Sequence, residues 1–239
     1  METKLNYYFN NFEDNEIFKI LKQGITNIWE MHKNAMNFLS NEVVSKNKKE
    51  NFGSCIDKNK VTFIGNYIIG EGTVIYPGVV IEGPVFIGKN VKIMPGAYVR
   101  PGTIVGDKCV IGFNSEVKNS IIQNGAKIAS LAFVGDSILG KSARIGSGVI
   151  TANRRFDQKN ITLKFENGEK YDTGEDFFGC ILGDYSRLGA KCVTSPGTFI
   201  GPYTWIYPST AIHGFIPEQK RVYNESNWVI KDNVKTELK

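Results

Sequence analysis

The sequence predicts an all-β solenoid, a chain coiled into short parallel strands around an apolar interior. Two observations carry that expectation. From Ile69 an aliphatic residue returns every six positions, at Ile75, Ile81, Ile87, Ile93, Val99, Val105, Ile111 and Val117. Four residues after each of the first eight comes a small or β-branched side chain: Thr73, Val79, Val85, Val91, Ala97, Thr103, Cys109 and Ser115. A period of six is neither the roughly 3.6-residue turn of a helix nor the two-residue alternation of a strand. It suits short strands separated by fixed corners, where Gly, Pro and small residues let the backbone turn.

Three hexads make one triangular coil, and coils stack about 4.8 Å apart with the aliphatic set inside. Two five-residue steps, Val117 to Ile122 and Val134 to Leu139, interrupt the register before it resumes at Ile145. It returns at Leu182, Leu188, Thr194, Ile200, Ile206 and Ile212, giving about seven coils. Each buried aliphatic contributes about 1.5–3 kcal/mol before entropy, so the coils are stable only as a stack.

The solenoid occupies residues 51–217, preceded by a helical cap and linker over 1–50 and followed by a tail over 218–239. In the first segment Ile17, Phe18, Leu21, Ile28, Trp29, Met31, Ala35, Phe38 and Leu39 recur at helical spacing. Asp14 is a candidate N-cap, Gly24 with Thr26 marks a break between two helices, and Ser45 to Glu50 reads as a solvated linker. The helices are expected to cover the open end of the stack, where strand edges are unpaired. Residues 152–179 break the repeat. Ile161, Leu163 and Phe165 alternate, Asn167-Gly168 is a hairpin-turn signal, and Lys170 to Thr173 form the return strand of a projecting, function-bearing loop.

Composition narrows the function. The chain has 239 residues, 41% hydrophobic and 22% charged, with a mean hydropathy of -0.21. That is neither a disordered tail nor a membrane protein, and the opening residues lack the pattern of a secretory signal, so a cytoplasmic protein is expected. Cys55, Cys109, Cys180 and Cys192 stand far apart, and with only His32 and His213 a structural metal is not expected. Nor can two histidines supply the three-histidine metal site of a γ-type carbonic anhydrase. The net charge of +5 suits a small anion and is too dispersed for a nucleic-acid binder.

The hexapeptide pattern resembles the left-handed parallel β-helix proteins, and the handedness is implied by that resemblance alone. Within it, residues 97–213 resemble the acetyltransferase domain of the bifunctional enzyme that acetylates glucosamine-1-phosphate and then uridylates it. Archaeal-type sugar-1-phosphate nucleotidylyltransferases with a β-helical acetyltransferase tail are similar too. The resemblance rests on Arg100-Pro101-Gly102, Glu116-Val117-Lys118, SLAFVGDS from Ser130, IGSGVITANRR from Ile145, and WIYPST from Trp205. The separations of Arg100 from Lys118 and from Ser130 equal the family's.

The resemblance implies that Arg100, Lys118 and Lys159 hold a sugar phosphate and that Asn153, Arg154 and Phe133 line the sugar site. Convergent Arg and Lys suit a phosphate dianion, although Arg100 and Lys118 also read simply as solvated corner residues. Acetyl-CoA or another acyl-CoA would be the cosubstrate, with Ser147, Ala190 and Pro208 at the positions that touch it. Small residues also stand at β-helix corners without any ligand. Ser130 replaces the family's catalytic histidine and Phe133 its tyrosine, so the usual base is missing. Either Glu116 serves as the base or Ser130 holds a water that does; equally, Glu116 reads as a carboxylate paired to Lys118. His213 lies coils away from Ser130 and reads as a surface residue. Arg144, where the family has asparagine, and Arg155 add positive charge.

Two readings follow: a CoA-dependent acyltransferase acting on an amino-sugar phosphate or nucleotide-linked amino sugar, or a sugar-phosphate-binding module without transfer chemistry. The family's trimers, with sites between subunits, imply a homotrimer. No Gly-rich phosphate loop precedes a helix, so nucleotidylyl transfer would need a separate nucleotidylyltransferase. No membrane partner is expected.

Overall fold

The computed structural model describes residues 4–9, 16–164 and 170–224. Three parallel sheets form the sides of a solenoid. The first has nine strands, from Lys49–Asn51 to Phe215–Ile216; the second nine, from Ser54–Cys55 to Arg221–Val222; the third eight, from Thr62–Ile64 to Ala211–Ile212. The stack therefore has about nine coils rather than about seven. The first coil escapes the six-residue count because a single helical turn at Lys58–Lys60 lengthens one corner. Lys49 and Glu50 belong to its first strand rather than to a linker, and Arg221–Val222 extends the repeat beyond Pro217.

The hexad residues fill the interior: Ile69, Ile87, Val105, Ile122, Leu139, Leu182 and Ile200 stack along the first sheet, fully buried. At several corners a small hydroxyl residue bonds to backbone of the next coil. Thr73 donates to the Gly88 carbonyl at 2.8 Å, Ser115 to that of Ala129 at 2.6 Å and Ser186 to that of Gly201 at 2.7 Å. These bonds satisfy polar groups that burial would otherwise penalise. At the edge joining the first two sheets, Gly72, Asn90, Lys108, Gly125, Ser142, Tyr185, Tyr203 and Gln219 all take φ between 56° and 72°. Only two are glycine, so the rigid stack imposes a left-handed corner on side chains that do not favour it.

The N-terminal helices do not cover an end of the stack. Helices α1 (Leu5–Tyr8), α2 (Glu16–Leu21) and α3 (Met31–Phe38), with a π-helical stretch at Leu39–Val44, form a strap along the outside of the first sheet. That sheet is apolar on both sides. Ile68, Phe86, Ile104, Ile121, Ile138, Ile181, Phe199 and Phe215 point outward in one register column. Phe38 meets Phe86 at 5.9 Å, Trp29 meets Phe199 at 6.2 Å and Tyr7 meets Phe215 at 6.1 Å, so the strap runs nearly the length of the stack. Tyr7 Oη also accepts the Glu218 backbone N–H at 2.9 Å. A column this apolar is costly in water, and covering it outweighs covering a strand edge. Gly24, at φ 68°, does separate two helices; the Thr26 N–H is capped by Glu30 at 2.7 Å. Asp14 lies outside the described residues.

In the insertion, Thr162–Lys164 pairs antiparallel with Lys170–Asp172. The hairpin does not stand free: Ile161 and Leu163 are buried against the strap and the first sheet, and Trp29 meets Tyr171 at 5.1 Å. Phe165, Asn167-Gly168 and the segment from Trp228 lie outside the described residues.

Candidate functional site

The outer face of the third sheet presents two columns. Tyr98, Glu116, Phe133 and Ile150 occupy successive rungs of one, and Lys118 pairs with Gly135 in the other. The Arg100 N–H donates to the Val117 carbonyl at 2.8 Å, one rung before Lys118. Arg100 and Lys118 thus stand on neighbouring rungs of one face, about 4.8 Å apart in backbone.

Their partners differ. Arg100 Nη1 donates to Glu116 Oε1 at 2.6 Å, and its guanidinium lies 5.7 Å from the Tyr98 ring, whose hydroxyl donates to Glu82. The hydrogen bond from Arg100 to Glu116 raises the guanidinium's pKa further, and its Nε–H is buried without an acceptor. Glu116 is therefore paired with Arg100, not Lys118. Residues 116 and 118 lie two apart on one strand, whereas Arg100 reaches diagonally across the rung.

Lys118 Nζ lies 3.5 Å from Asp136 Oδ2 and 4.4 Å from the centre of the Phe177 ring. Arg154 stacks on the same ring at 4.8 Å and donates to Gln158 at 3.2 Å. Asn153 Nδ2 donates to Asp136 Oδ2 at 2.5 Å and Asn119 Nδ2 to Oδ1 at 2.7 Å. Lys118, Asn153 and Arg154 therefore converge around Phe177 and Asp136. The insertion bends back through an antiparallel bridge between Arg154 and Phe177, which the repeat pattern does not show. A groove of about 670 Å³ opens beside it, under Arg154, Arg155 and Phe156. Lys159 stands apart with Asn160 and Asp172 in a smaller groove of about 370 Å³. Arg155 is held by a two-pronged pair to Asp157 at 2.8 and 2.6 Å, which keeps the Asp157 carboxyl well below its ordinary range.

Ser130, Ser147, Ala190 and Pro208 stack on the edge where the second sheet turns into the third. Gly148 N–H donates to Ser130 O at 3.0 Å, Lys191 N–H to Ser147 O at 2.8 Å and Ser209 N–H to Ala190 O at 2.9 Å. The Ser130 hydroxyl makes no hydrogen bond among the described residues. Beside this edge the second sheet carries Lys127, Arg144 and Arg187 in direct register, and none of them forms an ion pair among the described residues. Trp205 lies between Arg187 and Arg221 at 5.5 and 5.4 Å. Arg144, Arg187, Ala190, Trp205 and Pro208 line a groove of about 390 Å³. Like charges on adjacent rungs repel, so the ladder suits an anion laid across it. His213 is exposed beside the last strand of the third sheet, three rungs beyond Phe133–Gly135. Among the described residues no three His, Cys, Asp or Glu side chains are grouped to hold a metal. No helix among them is long and apolar enough to cross a membrane.

Sequence reasoning missed Phe177, Asp136 as a hub, and His32. Asp136 lies within SLAFVGDS, but nothing along the chain shows that Asn153 returns to it.

A family model described as the GMPPB C-terminal domain matches residues 81–184. The chain is 38% identical over 164 residues to the bifunctional sugar-1-phosphate nucleotidylyltransferase/acetyltransferase of Sulfurisphaera tokodaii, covering 69% of this chain and 40% of that protein. It is 37% identical over 174 residues to the bifunctional protein GlmU of Methanococcus vannielii, covering 73% of this chain and 42% of that one. It is 34% identical over 153 residues to the uncharacterized acetyltransferase YaiX of Escherichia coli, covering 64% of this chain and 66% of YaiX. The chain thus spans less than half the length of the two bifunctional relatives. At this level of identity the chain is a homologue of part of the bifunctional sugar-1-phosphate nucleotidylyltransferase/acetyltransferases.

Proposed function

We propose that this chain transfers an acyl group from a coenzyme A thioester to the amine of an amino-sugar phosphate or nucleotide-linked amino sugar. One juxtaposition carries the reading. The cluster of Lys118, Asn153 and Arg154 and the edge of Ser130, Ser147, Ala190 and Pro208 lie at opposite ends of the strand Phe133–Gly135 and its flanking corners. Phosphate binds at the cluster, the thioester lies along the edge, and Phe133 packs between them. The phosphates of coenzyme A meet Arg144 and Arg187, with Trp205 as a surface for its purine.

Both substrates bind before reaction. The amine nitrogen attacks the thioester carbonyl, backbone N–H groups stabilise the oxyanion, the C–S bond breaks, and the thiol of coenzyme A leaves. The amine's proton passes by way of Glu116, or of a water held by Ser130, to the departing sulfur. Glu116 is bonded to Arg100 in the free protein. An arriving phosphate competes for Arg100, so binding the acceptor releases the carboxylate beside it. Lys159 would join the phosphate only by swinging of its own loop.

The assembly in this reading is a homotrimer using the outer faces of the second and third sheets, since the strap covers the first. Any nucleotidylyl transfer falls to a separate protein. A second reading, a sugar-phosphate-binding module without turnover, is favoured by the Arg100–Glu116 pair and by the Ser130 hydroxyl, to which no base is hydrogen-bonded among the described residues.

The test is to incubate the protein with acetyl-CoA and a panel of amino-sugar phosphates and nucleotide-linked amino sugars while following thiol release. Release that disappears in Glu116→Gln supports transfer, and a gain in Ser130→His shows the remaining site to be intact. No release, with thermal stabilisation by sugar phosphates alone, supports the binding module.

A further inference from the structure

Asp136 closes the strand Phe133–Gly135 at a left-handed corner, φ 48°, and is only 2% exposed. An ionised carboxylate out of water requires several donors. Asn119, Asn153 and Lys118 supply them at 2.7, 2.5 and 3.5 Å, and two of these three are ligand-facing residues of the cluster. Behind Asp136 lies the strap. His32 of α3 meets Phe178 edge-on at 6.1 Å, the Phe178 N–H donates to Asn153 O at 2.8 Å, and the Gly179 N–H donates to Asp136 O at 2.8 Å. His32 is half-buried, facing the Asp136 charge and the backbone of Trp29 and Ser137, and its Nε2 is shut off from water without a hydrogen-bond partner. Burial pushes the imidazole's pKa down, while the Asp136 charge opposes that shift. Glu175, on the exposed side, also lies near Asp136, and its carboxyl is pushed up by partial desolvation and then by Asp176 and Asp136. A leucine in place of His32 would fill this space without burying a polar nitrogen, so packing alone does not call for histidine.

We propose that Asp136, backed by His32 of the strap, is the positioning residue of the sugar-phosphate site, holding the Lys118 ammonium and the Asn153 amide where they meet the ligand. The inference rests on the reading of that cluster as the acceptor site. Lys118 spends one of its three donors on Asp136 and keeps the others for an oxyanion. Asn153 is fixed at its amide nitrogen and offers its carbonyl oxygen to a sugar hydroxyl.

The test measures glucosamine 1-phosphate and acetyl-CoA binding by calorimetry on the full chain, with Asp136→Asn, His32→Leu and His32→Gln variants. Asp136→Asn is expected to weaken sugar-phosphate binding about tenfold or more while acetyl-CoA binding is unchanged. His32→Leu should shift the same ligand in the same direction, with His32→Gln partly restoring it. Equal weakening of both ligands, or unchanged sugar-phosphate binding in folded variants, overturns the proposal. Because the chain has two histidines, their imidazole NMR signals are readily told apart. Asp136→Asn should move the signals of His32 and of the Asn153 side-chain amide while His213 stays in place. If the parent protein binds no sugar phosphate, the acceptor reading falls; the positioning role then stands if those signals move and falls if they do not.

Discussion

At Gly135 the room for one methyl group decides where Asn153 sits. A Cβ there would lie 2.7 Å from both Asn153 Nδ2 and the Phe133 ring. Gly135→Ala should therefore displace Asn153 and weaken sugar-phosphate binding about tenfold, with acetyl-CoA binding intact, as titration of each ligand would show. Beside Ser130, Leu131 holds φ 61° and is 61% exposed. Leu131→Gly relieves a left-handed penalty of about 1–2 kcal/mol against an unfolded-state cost of about 0.5–1 kcal/mol, so the melting temperature should stay level or rise. The thiols bear on the activity assay: Cys109, Cys180 and Cys192 are buried, and burial pushes the Cys109 and Cys180 thiols up to about 12. A thiol reagent should titrate Cys55 alone in the native protein and all four after denaturation. At this scale the spacing of Arg100 and Lys118 was legible, because one rung of a solenoid is a fixed number of residues. Phe177 was not, because it reaches Lys118 only through the path of an irregular insertion.

For the strap, the deciding fact is the double-sided burial of the first sheet. Phe199→Ala, which removes a ring packed against Tyr8, Trp29 and Phe178, should cost about 3–5 kcal/mol in denaturant unfolding. His32 adds a pH dependence. Its folded pKa is lowered from 6.5, so the unfolded chain takes up the proton first as pH falls. Stability conferred by the neutral imidazole is present above about 6.5 and declines below it. The drop in melting temperature between neutral and mildly acid pH should shrink in His32→Gln. The helices themselves were legible from their apolar spacing, but their resting place was not. The six-residue register counts inward residues, whereas the strap binds the neighbouring outward position, which is apolar without a break from Ile68 to Phe215 in the first sheet but mixed with Lys92, Lys127, Arg144 and Glu116 in the other two.

Across the whole molecule the charge is unevenly matched: the site face pairs Arg100 and Lys118 with carboxylates, and the second sheet leaves Lys127, Arg144 and Arg187 facing one another. Added salt should raise the melting temperature of the free protein by screening that ladder, and at the same time weaken acetyl-CoA binding. Arg144→Gln should reduce both effects. In solution, sedimentation should give three times the 26.7 kDa chain mass if the second and third faces meet as proposed. The repeat made the architecture legible from sequence, and the coils it undercounted are the terminal ones, where corner lengths depart from six. The bond between Tyr7 and Glu218 sets a schedule on synthesis. At about 5–20 residues per second, α1 leaves the ribosome roughly 10–40 s before the strand beside it exists. Until Phe199 and then Phe215 are made, Tyr8 and Tyr7 lack the rings they pack against, so the nascent polypeptide exposes these aromatic side chains for most of its translation.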